Sequence, residues 1–93
     1  MSYELAFRQD ALKEWGQLDS NTRAYFKKKL AERLENPRVP SAKLSGHRDR
    51  YKIKLRSVGY RLVYEVQDAQ LVVLVVAVGR RDRGAVYRTA DKR

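Results

Sequence analysis

The chain of 93 residues contains no cysteine, and it has only one histidine and two prolines. Without cysteine it has neither a disulfide framework nor a thiolate metal site, which fits a reducing compartment. Its longest apolar run, at residues 71–78, is eight residues long and too short to span a bilayer. Residues 1–5 lack the charged and apolar regions of a signal peptide. These absences predict a soluble, cytoplasmic protein that has no membrane partner.

Positive charge is in excess and is unevenly distributed along the chain. There are 21 basic and 11 acidic residues, which give a net charge of +10. Residues 1–46 contain nine basic and six acidic residues, whereas residues 47–93 contain twelve and five. A basic surface of this kind attracts a polyanion such as nucleic acid. We therefore expect the second half of the chain to carry the partner surface.

Within this second half, Lys52, Lys54 and Arg56 alternate with apolar residues. Side chains two positions apart on a strand project from the same face, so the spacing predicts one positively charged strand face. Such a face suits the binding of nucleic acid or the stabilisation of a phosphoryl transition state. The ordinary alternative is a solvated strand edge, where lysines also discourage aggregation.

The pattern of apolar residues predicts a single domain, residues 1–93, of the α+β class. The element order is β-α-α-β-β-β-α, and the sheet is four-stranded and mainly antiparallel. Two N-terminal helices pack on one face of the sheet, and a short C-terminal helix follows the last strand. That strand is apolar on both faces and is expected at the centre of the sheet. The predicted strands cover residues 3–7, 50–56, 59–66 and 71–79, and the last helix lies within residues 82–90.

The two N-terminal helices are predicted from periodicity and end signals. The second helix begins at an N-cap, Asp19 or Ser20, and ends near Asn36 because Pro37 and Pro40 cannot continue it. The first helix covers about residues 9–17. Its residues at helical spacing are Ala11, Leu12, Trp15 and Leu18.

The order of these elements and several short motifs resemble the RelE toxins of bacterial and archaeal toxin–antitoxin pairs. The resemblance covers essentially the whole chain and is to the RelE branch rather than to the wider superfamily. The motifs that carry it are residues 12–15, 28–30, 43–46, 51–56, 59–64 and 78–83, followed by Val86 and Tyr87.

The resemblance implies an endoribonuclease that cuts mRNA in the A site of a translating 70S ribosome. The 2′-hydroxyl attacks the adjacent phosphate and leaves a 2′,3′-cyclic phosphate and a 5′-hydroxyl, without a metal or other cofactor. The implied partners are mRNA, rRNA and an acidic RelB-like antitoxin, and the toxin–antitoxin complex binds operator DNA to repress its own operon. In some family members the antitoxin displaces the C-terminal helix. The small apolar content of residues 82–90 suggests that this helix detaches at little cost.

The family pattern also implies a set of catalytic residues in this chain. In-line cleavage needs a base, charge stabilisation at the phosphate and stabilisation of the leaving oxygen. The only histidine, His47, lies in a predicted loop, so other groups must serve. The residues at the family's catalytic positions are Lys52, Lys54, Arg61, Arg81 and Tyr87.

Each of these side chains suits a distinct role. Lys54 can act as the base if neighbouring cations depress its pKa. Lys52 and Arg61 would stabilise the phosphate. Arg81 would stabilise the leaving oxygen electrostatically, because a guanidinium stays protonated in proteins and is a poor proton donor. Tyr87 would stack on a base or orient the 2′-hydroxyl.

Further cations are candidate contacts with RNA and the ribosome: Lys27, Lys28, Lys29, Arg56, Arg80 and Arg83. Each candidate has an ordinary alternative, such as a solvated helix face for the three lysines or simple packing for Tyr87. For Arg61 the alternative is a structural salt bridge to Glu65 or Asp82. Two other functions stay open, a ParE-type gyrase poison, which lacks the lysine and arginine set, and a non-catalytic basic module that binds nucleic acid.

Overall fold

The computed structural model describes residues 2–93 and contains four strands and three helices. These are β1 (Glu4–Phe7), α1 (Gln9–Gly16), α2 (Ser20–Glu35), β2 (Arg50–Leu55), β3 (Tyr60–Gln67), β4 (Val72–Arg80) and α3 (Ala85–Asp91). The strand order is β1-β4-β3-β2. β3 is antiparallel to both of its neighbours, and β1 runs parallel to β4. The predicted α+β order and the central place of β4 are confirmed.

The sheet separates two apolar layers. α1 and α2 contribute Ala11, Phe26 and Leu30 to a core that also contains inward residues of all three long strands. On the opposite face, Val86 and Ala90 of α3 form a smaller cluster. The two N-terminal helices therefore pack on one face, as the sequence predicted.

A β-bulge in β4 supports the smaller cluster. Val63 pairs with Ala77 and Tyr64 pairs with Val75, so Val76 has no partner in β3. Bulges of this kind change which side chains face each side of a sheet. Here Val76 and Ala77 both join the cluster beneath α3.

The limits of α2 agree with its sequence signals. Asp19 is the N-cap, and its side chain accepts a hydrogen bond from the backbone N–H of Thr22 at 3.0 Å. Hydrogen bonding from the Thr22 side chain, and then from its backbone N–H, lowers the pKa of Asp19. The helix ends at Glu35, just before Pro37, which cannot supply the next backbone donor.

One local prediction was wrong. β2 ends at Leu55, and Arg56 begins a short 3₁₀ turn that closes at Gly59, where φ is +69°. Such a left-handed turn suits glycine, and it removes Arg56 from the strand face. The first helix forms as predicted, and within it Leu12 is 53% exposed, because a short helix buries a narrow stripe and Leu12 lies about 100° away from the buried Ala11.

The attachment of α3 involves more than its apolar residues. Arg50 donates to the carbonyl of Ala90 at 2.6 Å, and His47 contacts the carboxylate of Asp91 at 2.7 Å. The expectation that α3 detaches at little cost considered only the small apolar content of this segment. It did not include these two polar contacts. Within residues 2–93, no helix is long and apolar enough to cross a membrane.

Tyr64 is the largest fully buried side chain and belongs to the main core. Its hydroxyl donates to the carbonyl of Pro37 at 2.6 Å and accepts from Arg33 at 2.9 Å. Its ring stacks on Tyr51, with the ring centroids 5.7 Å apart. Burial raises the pKa of Tyr64, so the hydroxyl stays protonated and able to donate.

We predict that Tyr64→Phe lowers the free energy of unfolding by about 1–3 kcal/mol, because buried polar groups lose their partner. Tyr3→Phe is the matched control, since the Tyr3 hydroxyl donates to Asp68 at an exposed site. Changes at such sites usually stay within about 0.5 kcal/mol. Urea denaturation measures both variants, and equal losses would contradict the role given to the buried hydroxyl.

Candidate active site

Three of the predicted catalytic side chains lie on the sheet face that α3 covers. Lys54 lies directly opposite Arg61, and Lys52 lies opposite Val63. Directly paired residues project to the same side of a sheet, and Val63 belongs to the cluster beneath α3. We call Lys52, Lys54 and Arg61 the cationic face. The alternation of Tyr51 and Ile53, which are buried on the other side, fixes this orientation.

The electrostatic environment lowers the pKa of Lys54. The largest cause is repulsion from Lys52, followed by repulsion from Arg56, partial burial and repulsion from Arg61. Like charges disfavour the protonated amine, so a larger share of Lys54 is neutral at a given pH. This is the direction that a lysine base requires. Arg56 contributes although it has left the strand.

Arg61 is the most deeply buried charged residue that the structure describes, at 7% exposure. One of its guanidinium nitrogens donates to the carbonyl of Tyr60 at 2.9 Å. The expected alternative does not form, because Glu65 pairs with Arg50 and Asp82 pairs with Arg80. Within residues 2–93, Arg61 has no carboxylate partner. A buried cation without a counter-charge is costly, and such groups cluster at sites that bind or transform charged ligands.

Tyr87 lies beside the cationic face. It lines a cavity of about 280 Å³ together with Lys52. Residues of the loop before β2 and of α3 complete the wall of this cavity. Its ring is half-buried against the cluster beneath α3. Tyr87 therefore packs against the cluster beneath α3, which is the simple packing role considered above. It also reaches the space next to Lys52.

Arg81 lies at the end of β4, near the turn that carries Arg56. Its backbone N–H donates to the carbonyl of Gly59 at 2.8 Å, and its side chain is exposed. The structure thus places Arg81 at the same end of the sheet as Lys54 without a direct contact between the two side chains. Arg83 follows in an exposed turn with φ of +52°, a conformation that non-glycine residues rarely adopt.

Arg80 differs from its neighbours because its charge is compensated. Its side chain bonds the carboxylate of Asp82 at 3.0 Å and lies over the ring of Tyr60. Hydrogen bonding to Asp82 raises the pKa of Arg80. This arrangement suits a peripheral contact rather than a group at the reacting phosphate.

The three lysines of α2 separate into two groups. Lys27 and Lys28 are exposed, whereas Lys29 lines a cleft of about 390 Å³ between α2 and β2. Lys52, Lys54 and Arg56 line the same cleft. We call it the β2 cleft. Lys29 is therefore the α2 lysine that lines the same cleft as Lys54.

Sequence reasoning missed two residues that position the cationic face. The Tyr25 hydroxyl donates to the carbonyl of Lys54 at 2.9 Å, and Arg33 donates to the carbonyl of Lys52 at 3.3 Å. β2 is an edge strand, so these side chains satisfy carbonyls that no neighbouring strand can reach. The signal that can find them is their spacing with Lys29, every fourth residue on one side of α2.

The site supplies cations and a phenol. A lysine with a lowered pKa can accept a proton, a buried guanidinium can hold a phosphate oxygen, and a tyrosine can stack on a base. Within residues 2–93, no three histidine, aspartate or glutamate side chains are placed to hold a metal ion.

Comparison with known proteins points to toxins of toxin–antitoxin systems. The family model described as "ParE toxin of type II toxin-antitoxin system, parDE" matches residues 5–84. The chain is 56% identical to "mRNA interferase toxin RelE" of Escherichia coli strain K12, over 100% of this chain and 98% of that protein. It has the same identity and coverage with "mRNA interferase RelE" of Shigella flexneri.

Solved structures agree with this assignment. A mutant of the E. coli toxin RelE in the free state is 53% identical with a TM-score of 0.92, covering 99% of this chain and 97% of that one. The toxin of the intact E. coli RelBE toxin–antitoxin complex is 56% identical with a TM-score of 0.83, covering 85% and 96%. The family model spans most of the chain, and these relatives of high identity are named RelE. The chain therefore belongs to the RelE toxins of type II toxin–antitoxin systems.

Proposed function

We propose that this protein is the toxin of a toxin–antitoxin pair and a ribosome-dependent endoribonuclease that cleaves mRNA in the A site. The observation that carries the proposal is the cationic face, in which buried Arg61 has no carboxylate partner and faces Lys54. Identity of 56% to two proteins named mRNA interferase RelE supports it. The complete lysine and arginine set argues against a gyrase poison.

The cleavage step uses the groups of the cationic face in turn. Neutral Lys54 takes the proton of the 2′-hydroxyl, and the freed oxygen forms a bond to the adjacent phosphorus. The bond from phosphorus to the 5′-oxygen breaks, which leaves a 2′,3′-cyclic phosphate. Arg61 and Lys52 stabilise the charge on the non-bridging oxygens. The 5′-oxygen departs beside Arg81 and takes a proton from water to give the 5′-hydroxyl.

The remaining cations bind the RNA around this centre. Tyr87 stacks on or orients the nucleotide that supplies the 2′-hydroxyl, since it lines the cavity that Lys52 shares. Lys29 and Arg56 line the β2 cleft and contact the strand of the mRNA. The exposed cations contact the backbone of mRNA or rRNA: Lys27, Lys28, Arg80 and Arg83.

The partners follow from the charge and the family. A chain with a net charge of +10 attracts an acidic, RelB-like antitoxin segment. The complex of toxin and antitoxin contacts operator DNA and represses its own operon. We place the protein in the cytoplasm, where ribosomes lie, and we treat residues 1–93 as one toxin domain.

We predict that the purified toxin cuts mRNA in the ribosomal A site but leaves the same free RNA nearly intact. Proper in-line alignment can contribute up to ~7–11 kcal/mol, and here the ribosome supplies it because the cationic face does not enclose the substrate. Cleavage of one labelled mRNA with and without 70S ribosomes measures the difference. Comparable rates on the two substrates would refute the ribosome-dependent proposal.

A second prediction concerns Lys54 as the base. Lys52→Ala removes the largest cause of the lowered Lys54 pKa, so that pKa rises toward its ordinary value. Because the neutral amine is the active form, the rise of the single-turnover rate with pH moves to higher pH. Lys13→Ala removes an exposed charge from α1 and leaves the profile in place. An unchanged midpoint in Lys52→Ala would mean that another group is the base.

A third prediction separates chemistry from binding. Arg81→Ala should slow single-turnover cleavage at saturating toxin by about a hundredfold, as removal of a preorganised charge does. Arg80→Ala should weaken ribosome binding while leaving the saturated rate close to that of the parent, because Asp82 already compensates its charge. Measuring rate against toxin concentration distinguishes the two effects. If Arg81→Ala loses affinity and keeps the saturated rate, its assigned role is wrong.

A further inference from the structure

The outer edge of β4 is only partly covered by β1. The last pair between these strands joins Phe7 to Val75, so β4 continues beyond its parallel neighbour. A strand edge of this kind presents backbone groups that need partners. Side chains supply them here: Glu14 of α1 accepts from the backbone N–H of Val78 at 3.0 Å, and Arg93 donates to the carbonyl of Val76 at 2.9 Å.

The two side chains that cover this edge also bind one another. The guanidinium of Arg93 meets both carboxylate oxygens of Glu14, each at 3.0 Å. Two parallel bonds between a guanidinium and a carboxylate give both strength and a fixed geometry. The side chain of Arg93 is 15% exposed and that of Glu14 is 28% exposed, so water screens the pair only in part. We call this pair, with its two backbone contacts, the Glu14–Arg93 clamp.

The clamp fixes the end of α3. Arg93 lies two residues beyond the end of this helix, and its side chain joins the helix to β4 and to α1. α3 has seven residues, of which Val86 and Ala90 are buried. A helix this short is not stable by itself, so its position depends on the contacts that hold it. Arg50 and His47 hold the opposite side of the same helix end.

The position of α3 matters because the helix carries Tyr87. Tyr87 reaches the cavity beside Lys52 only when α3 is docked on the sheet. Glu14 and Arg93 are not part of the cationic face, and the clamp lies along the β4 edge, whereas Lys52 lies on β2 at the far side of the sheet. The clamp can therefore act on cleavage through α3 and Tyr87 or through its backbone contacts with β4, and only the first route depends on Tyr87.

We infer that Glu14 and Arg93 are positioning residues, which keep α3 docked so that Tyr87 faces the reacting nucleotide. This inference rests on the proposed function. The competing explanation is that the clamp only stabilises the whole fold. The two explanations predict different effects of removing the clamp. If the pair positions α3, its removal changes the stability of α3 alone and alters the cleavage rate only through Tyr87.

Hydrogen exchange of the free toxin tests the first part without any activity measurement. Arg93→Ala should speed exchange at the amides of residues 89–92 by about tenfold and leave β3 unchanged, because local opening is independent of global unfolding. Arg93→Lys keeps the charge but loses the paired bonds, and an intermediate effect is expected. Lys92→Ala, which removes an adjacent exposed charge, should leave exchange as in the parent. Unchanged exchange in Arg93→Ala, or equal acceleration in β3, would overturn the inference.

A double-mutant cycle on the ribosome tests the second part. Arg93→Ala should lower the saturated single-turnover rate by about tenfold in the parent and less than about twofold in a Tyr87→Ala background, because both changes remove the same contribution. Equal effects in the two backgrounds would show that Arg93 does not act through Tyr87. If the parent toxin itself fails to cut mRNA on ribosomes, the proposed function fails, and the exchange experiment still decides whether the clamp holds α3.

Discussion

The pairing of β2 with β3 determines the site, because it allows only one set of side chains to face α3. Tyr51 pairs and stacks with Tyr64, and Ile53 pairs with Leu62, all of them buried beneath α2. A shift of one residue would carry every side chain of β2 to the other face. The aromatic and aliphatic side of this strand therefore holds Lys52 and Lys54 in place. The register of β2 with β3 therefore determines both which side chains pack under α2 and which cations lie on the α3 side of the sheet.

Concentrating cations on one face has an energetic cost that the rest of the molecule accommodates. Like charges repel, and the lowered pKa of Lys54 is a direct expression of that repulsion. The acidic residues that could relieve it are engaged elsewhere, as in the pairs of Glu65 with Arg50 and of Glu14 with Arg93. Arg38 similarly takes both Asp49 and Asp68. The site is thus left positive for an anion that arrives from outside, whether RNA or an acidic protein segment.

Most of the fold could be predicted from the sequence because the signals that determine it are local. Alternation in β2, the Asp19 cap and the stop before Pro37 act over a few residues, and the structure follows each of them. The face of the sheet that carries Lys52 and Lys54 followed from the same alternation. Resemblance to a known family supplied the candidate roles, which composition and spacing do not give.

The features that could not be predicted from the sequence depend on contacts between distant residues or on backbone geometry. The departure of Arg56 from its strand depends on the left-handed conformation at Gly59, which periodicity does not report. The burial of Arg61 results from packing around β3, since an arginine in a pattern of alternating residues reads as exposed. The clamp joins Glu14 to Arg93, two residues at opposite ends of the described chain, and no short window of sequence contains both.

The two α2 side chains that bond to β2 have an effect beyond the placement of Lys52 and Lys54. Tyr25 and Arg33 occupy the outward carbonyls of Lys54 and Lys52, and these are the acceptors that a strand from another molecule would need. The hydrogen bonds that support the site therefore also keep this edge from recruiting a second chain into the sheet. A substitution at Tyr25 or Arg33 would loosen β2 and at the same time expose a backbone acceptor at this edge. In this toxin, the same two side chains place Lys52 and Lys54 and help to protect this strand edge.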